Sequence, residues 1–411
     1  MLAPIRSDPI SVRRLAVLDG LRGTAILMVM SYHLWGLVPG FTLQHSTARL
    51  DVYLGHVFGS GWSGVDLFFV ISGFLLTGNL FDARGSTTYF RSFYARRFLR
   101  LFPLYYAFLL VLLFIVPLIP ALTGVLQIDA LRKVQWFYWT YTVNIAGALQ
   151  ATAEKIPLAH SHIWSLALEE QFYLVWPAIV LYGGDRRRLM RLFLVVMGAA
   201  LVSRWLFTLD LASGIFRENA AYSLLPCRMD TFALGGYLAL AVRGETDEVA
   251  RLRRLGPILV AGAVLGLAGI YLGWHTLKPF ENPMSTIGFS FLTAGFGGLL
   301  AIVLDAKSGT VLHTLFGSRP LVTAGKYSYG LYMVHLAVAF ALMPHVVGTW
   351  WMKPVYGSFF FANLGFLTLA GTLSLAVAWV SWHLIEKRAL ALKRYVPYGA
   401  GEARDTAGSA F

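Results

Sequence analysis

The sequence predicts an all-α fold: a polytopic transmembrane helical bundle of about ten spans, with both termini in the cytoplasm. Three observations carry this. The 411 residues are 57% hydrophobic and only 13% charged, whereas a soluble domain is about one-quarter charged. So few charges cannot cover the surface of a globule of this size. The apolar residues come in long runs rather than in alternation. Finally, Lys and Arg gather in every second loop, as they do on the cytoplasmic side of membrane proteins.

A span needs roughly 20 mostly apolar residues, and the candidates in order are 16–38, 60–81, 101–120, 163–183, 189–209, 222–242, 255–274, 284–304, 322–346 and 358–385. The stretch 134–149 is short, aromatic and polar. If it does not cross, the clusters Arg96–Arg97–Arg100, Arg186–Arg187–Arg188, Arg251–Arg253–Arg254 and Lys387–Arg388 all fall inside, and scattered cations such as Arg49, Lys155 and Lys353 fall outside. If it crosses, the 186–191 cluster moves outside. The expectation is therefore a re-entrant or interfacial piece. The chain divides into a cytoplasmic segment, 1–15, a membrane domain, 16–390, and a short cytoplasmic tail, 391–411. Arg13 and Arg14 before an apolar run resemble a secretion signal. Asp19, Arg22 and His33 interrupt that run, and the reading is a retained first span.

The net charge of +13 follows from these loop clusters, and their dispersal argues against a nucleic-acid partner. With a single cysteine, Cys227, no intrachain disulfide and no cysteine-rich metal site can form. His160 and His162 stand close together before the fourth span but lack the partners of a metal motif, so no metal is expected.

Charged groups inside a bilayer are costly and mark function. In the first span Arg22 and His33 are separated by close to three helical turns, so they share one face, roughly 16 Å apart. By the expected topology Asp66, Glu169, Arg204, Arg228, Asp230 and His335 lie in the outer half of their spans, and Arg22, Arg96, Arg97 and Arg100 lie on the cytoplasmic side. Cations there suit the phosphates of a nucleotide-like donor. A chamber of acids, bases and histidines above them suits proton chemistry. The competing reading is a set of ion pairs that pin helices, for instance Arg228 with Asp230.

Six segments, in this order, carry a resemblance: LDGLRGTAILMVMSYH (18–33), GWSGVDLFFVISGFLL (61–76), YARRFLRLFPLYY (94–106), WSLALEEQFYLVWP (164–177), LPCRMDTFALGGYLA (225–239) and GKYSYGLYMVHL (325–336). Together with the span pattern they resemble the acyltransferase-3 family of integral-membrane acyltransferases over about 15–390. That family moves acyl groups, often acetyl, onto sugars of lipopolysaccharide, exopolysaccharide or Nod factors, or onto macrolides. The resemblance implies acyl-CoA (acetyl-CoA) as donor substrate and His33 as catalytic base. The chemistry agrees, because an alcohol needs its proton removed as it attacks a thioester, and a neutral imidazole suits that step. Asp66 or Glu169 is the expected carboxylate beside it. Of the two adjacent glutamates, which cannot share a helix face, Glu169 is the functional candidate. Arg97 and Arg100, one turn apart, are expected to grip the coenzyme A phosphates, with Arg22 deeper in. Trp164, Arg228, Asp230 and His335 are expected at the acceptor.

The resulting expectation is a membrane O-acyltransferase of the bacterial inner (plasma) membrane, acting on a hydroxyl of an envelope glycan or glycolipid. Acylation of a small product such as a macrolide is the nearest alternative. A transporter of an anionic solute is the alternative from another class, but no inverted repeat supports it. Cys227 beside Arg228 is a minor candidate for a covalent route. Gly61, Gly64 and Gly73 are read as sites of close helix contact.

Overall fold

The computed structural model describes residues 12–38, 48–149, 155–208, 220–306 and 309–396. The expected segments at 1–11 and 397–411 lie outside them. The described chain is helices and the turns between them. Its main helices are α1 Val12–Leu34, α2 Arg49–Gly59, α3 Gly64–Asp82, α4 Tyr89–Leu110, α5 Ile128–Trp139, α6 Val143–Leu149, α7 Trp164–Tyr182, α8 Arg186–Thr208, α9 Leu225–Ala241, α10 Thr246–Trp274, α11 Phe289–Asp305, α12 Arg319–Lys326, α13 Ser328–Val346 and α14 Phe360–Ser381.

Seven helical stretches among the described residues are long and apolar enough to cross a membrane. They correspond to the second, third, fifth, seventh, eighth, ninth and tenth expected spans. The three others, around α1, α7 and α9, are also helices, but they carry too many polar groups or are too short to qualify on composition. Asp19 and Arg22 interrupt α1, Glu169 and Glu170 interrupt α7, and α9 has 17 residues. The physical reason is their place in the bundle. All but four of the α9 side chains are buried, so these residues face other helices rather than lipid. Helices α8, α10 and α14 instead turn apolar side chains outward, among them Val195, Leu265, Leu272 and Phe361. Such a belt of exposed hydrophobics is what a bilayer covers.

Several boundaries differ from the expectation. The third span begins not at 101 but with α4 at Tyr89, so Arg96, Arg97 and Arg100 lie within a long helix rather than ahead of it. The ninth is broken at Tyr327 into α12 and α13. The ambiguous stretch becomes α5 and α6, helices of 12 and 7 residues split at Tyr141, whose φ of 52° is left-handed. Neither half is long enough to cross on its own.

Close helix contact sets the arrangement. A Cβ on Gly73 of α3 would stand 2.1 Å from the Phe232 carbonyl oxygen of α9, and one on Gly235 of α9 would stand 2.1 Å from the Val70 oxygen of α3. The two backbones touch there, and any larger residue pushes them apart. Gly61 and Gly64 allow the same approach to α1 at Met28 and Ala25. Through these contacts α3 becomes the hub, with α9 on one side and α1 on another. Helices α12 and α13 close over α1, and this brings the first and last thirds of the chain together.

Candidate active site

Four of the expected site residues line one cavity. Arg22 of α1, Arg97 and Arg100 of α4 and Glu169 of α7 surround a space of about 630 Å³, its open mouth included. Ser72 of α3, Ser165 and Tyr173 of α7 and Ser328, Tyr329 and Tyr332 of α13 add to its polar lining. The cavity has direction. Along α7 it runs from Ser165 to Tyr173, roughly 12 Å of helix rise. At the Tyr173 end the guanidinium of Arg97 sits over the Tyr173 ring, 5.1 Å from its centre. At the other end the hydroxyls of Ser165 and Tyr332 lie 2.5 Å apart. Both point at the carbonyl oxygen of His162, at 3.2 and 3.0 Å. The cationic end is therefore separated from a neutral hydroxyl-lined end.

Glu169 accepts a hydrogen bond from the Ser72 hydroxyl at 2.5 Å, which fixes its carboxylate to α3. Glu170 is not among the lining residues, in keeping with the rule that adjacent helical residues face apart. Arg22 is held by Asp19 one turn earlier at 3.2 Å. Arg96 points elsewhere, donating through Nε to the Val396 carbonyl oxygen at 2.8 Å.

Beyond the Ser165–Tyr332 end lies a group of histidines. His33 Nδ1 is 3.0 Å from His335 Nε2. The ring of His162 stands 4.8 Å from that of His335 and 6.2 Å from that of His33, centre to centre. His162, just before the fourth expected span, was weighed above only as a metal ligand. Its signal was its position two residues ahead of Trp164, where a short 3-10 turn, Leu158–Ile163, feeds α7. The described residues contain no group of three or more His, Cys, Asp or Glu side chains placed to hold a metal ion. His160 in the same turn is turned away. It bonds through Nε2 to the Leu126 carbonyl at 2.9 Å, and burial pushes its imidazole down to about 4.

The remaining expected residues are placed differently. The hydrogen-bond partner shown for His33 is a histidine, while Asp66 and Glu169, the expected carboxylates, are engaged with other groups. Asp66 is fully buried and ion-paired with Arg228, Glu169 is bonded to Ser72, and the ring beside His33 is that of His335. Arg228 and Asp230, offered as a pair, are not one. Two residues apart on α9, they project in different directions, and each finds a partner on another helix. Arg228 takes Asp66 of α3, and Asp230 takes Arg204 of α8 at 2.8 Å. Arg204 also donates to the carbonyl oxygens of Cys227 and Thr286 and to the Ser290 hydroxyl. Cys227 is fully buried in this network. Trp164 packs against Tyr222 with the rings tilted and their centres 4.4 Å apart, outside the lining of the cavity. His335, expected at the acceptor, has one ring nitrogen on its own helix and the other on His33.

A helical bundle with an outward apolar belt and an internal cavity lined by arginines at one end and by hydroxyl groups at the other defines a membrane-embedded helical protein with a polar interior site. Comparison with known families makes this specific. Residues 15–383 match a family described as an acyltransferase domain. The chain belongs to this family, the integral-membrane acyltransferases of the acyltransferase-3 type. It is 28% identical over 337 residues to a peptidoglycan O-acetyltransferase of Listeria monocytogenes, covering 78% of this chain and 49% of that protein. It is 28% identical over 383 residues to a putative peptidoglycan O-acetyltransferase of Bacillus subtilis, with 90% and 54% covered. An O-acetyltransferase of Staphylococcus aureus is 25% identical over 344 residues, with 80% and 51% covered. The chain thus spans about half the length of these relatives. No solved structure matches it.

Proposed function

We propose that the protein transfers an acetyl group from acetyl-CoA to a hydroxyl of a cell-wall glycan or its lipid-linked precursor, with His33 as general base. The observation that supports this is one cavity that holds Arg22, Arg97 and Arg100 and extends to Ser165 and Tyr332, whose hydroxyls contact the carbonyl oxygen of His162 in the histidine group that contains His33. The donor enters from the cytoplasm. Arg97 and Arg100 hold its phosphates at the Tyr173 end, because guanidinium groups match phosphate oxygens with paired N–H donors. The acyl arm runs along α7 toward Ser165 and Tyr332, and the thioester arrives near His33. The acceptor sugar approaches from the opposite face of the membrane. The names of the relatives favour a peptidoglycan-type acceptor and an acetyl group over the macrolide and transport readings.

In the reaction the acceptor oxygen attacks the thioester carbonyl while His33 takes its proton. The C–O bond forms, the C–S bond breaks, and the proton is passed to the departing thiolate to give free coenzyme A. The test is direct. Purified protein in liposomes, given radiolabelled acetyl-CoA and lipid-linked or fragmented peptidoglycan, is expected to label the glycan. Label released only as free acetate, or moved equally well onto a macrolide, would overturn the acceptor assignment.

A further inference from the structure

We infer that His335 is a positioning residue that fixes which nitrogen of His33 carries the proton; this rests on the reading of His33 as base. His335 Nδ1 lies 2.8 Å from the carbonyl oxygen of Tyr332 and 3.1 Å from that of Leu331. Carbonyl oxygens only accept, so Nδ1 carries the hydrogen and donates. His335 is fully buried, where an uncompensated charge is costly, so the ring is neutral and has one N–H. Its Nε2 therefore presents a lone pair. That lone pair faces His33 Nδ1 at 3.0 Å. Two lone pairs cannot meet at that distance, so His33 Nδ1 carries the hydrogen and donates it. His33 Nε2 is left bare, which is the state a general base requires.

The chain of assignment starts at the backbone of α13. Two peptide carbonyls set the tautomer of His335, and His335 sets that of His33. It also explains why no carboxylate is needed beside His33. A neutral imidazole orients the base without the strong upward pull on basicity that a carboxylate exerts. When His33 takes the hydroxyl proton at Nε2, its Nδ1–H bond to His335 becomes charge-assisted and strengthens, so the contact favours the transition state over the ground state. Among the described residues, the titratable groups in ring contact with the pair are His162 ahead of α7, Tyr332 of α13 and Tyr32 of α1.

The experiment compares His335→Gln, His335→Leu and His335→Glu in the full chain, reconstituted with labelled acetyl-CoA and glycan acceptor, each checked by thermal unfolding. Gln offers an amide oxygen as acceptor and is expected to keep kcat within about tenfold of the parent. Leu removes the acceptor and is expected to lower kcat by about 100-fold or more, with the KM for acetyl-CoA unchanged. Glu places an anion beside His33 and is expected to move the acidic limb of the kcat–pH profile up by about one unit or more. A folded Leu variant with normal kcat, or a folded Glu variant with an unmoved acidic limb, would overturn the inference. His33→Gln is run in parallel. If that variant is active, the base assignment itself fails. If it is inactive while His335→Leu is active, only the positioning role fails.

Discussion

At the scale of single residues, His33 and the Asp66–Arg228 pair make opposite predictions. His33→Gln keeps size and hydrogen bonding but cannot accept a proton. Turnover is expected to fall by about 10²–10⁴-fold with donor KM retained, because base catalysis acts only as the alcohol attacks. Steady-state kinetics on the reconstituted protein checks this, and an active variant would remove the base. Asp66→Asn instead leaves the Arg228 charge buried without its counter-ion. Removing one partner of a buried pair costs about 3–5 kcal/mol, so the variant is expected to melt well below the parent in detergent. An unchanged melting temperature would mean that Arg228 is neutralised elsewhere. The sequence made part of this legible. Arg97 and Arg100 were legible as neighbours one turn apart, and Arg22 and Glu169 through the motifs that carry the family resemblance, and all four meet at one cavity. It could not show the partners. His33 meets His335 across 302 positions and Asp66 meets Arg228 across 162, and no local periodicity encodes which helix lies beside which.

Among the helices, the decisive feature is how closely α3 approaches its neighbours. Gly73→Ala is expected to destabilise by about 1–3 kcal/mol, since its Cβ would press on the Phe232 carbonyl oxygen. Gly198→Ala in α8 and Gly269→Ala in α10 meet nothing within 4 Å and are expected to leave the melting temperature unchanged. Equal behaviour of all three would mean that the α3–α9 contact is looser than described. The donor helix α4 gives a kinetic prediction. Arg97→Gln and Arg100→Gln are expected to raise the KM for acetyl-CoA more than they lower kcat, because phosphate contacts are made alike in ground and transition states. A KM that stays put in both variants would reduce these arginines to membrane anchors. Helix existence was readable from apolar runs, but helix ends were less so. Composition alone does not reveal that α4 continues through an arginine cluster, because the polar turns of a helix look the same inside and outside a bilayer.

For the whole molecule the open quantity is the path through the membrane. A reporter fused after Pro157 is expected outside, and one after Arg187 inside, with α5 and α6 remaining on one face between α4 and α7. An outside signal at Arg187 would make that stretch a crossing and invert the second half of the chain. The apolar belt was legible as long hydrophobic runs. Helices α1, α7 and α9 were legible as helices, but the near-complete burial of α9 was not. The polar residues of α9 are tolerated because neighbouring helices cover them, which is a property of the assembly rather than of any one segment.

The crossed ion pairs also bear on biogenesis. Asp66 of α3 is synthesised long before Arg228 of α9, and Arg204 of α8 before Asp230. A helix leaving the insertion machinery with a bare charge faces a penalty of roughly 2.5–3.5 kcal/mol for each such residue near the bilayer centre. The early helices are therefore expected to stay at the translocon until α9 emerges and neutralises both charges. A nascent chain arrested before α9 is expected to cross-link to the insertion machinery through α3. One arrested after α9 has emerged is expected to lose that cross-link. The Asp66→Asn change, which removes the early charge, is expected to release α3 sooner. On this view α9 is the closing element of assembly, and the order in which the ribosome makes the helices is part of how the bundle is built.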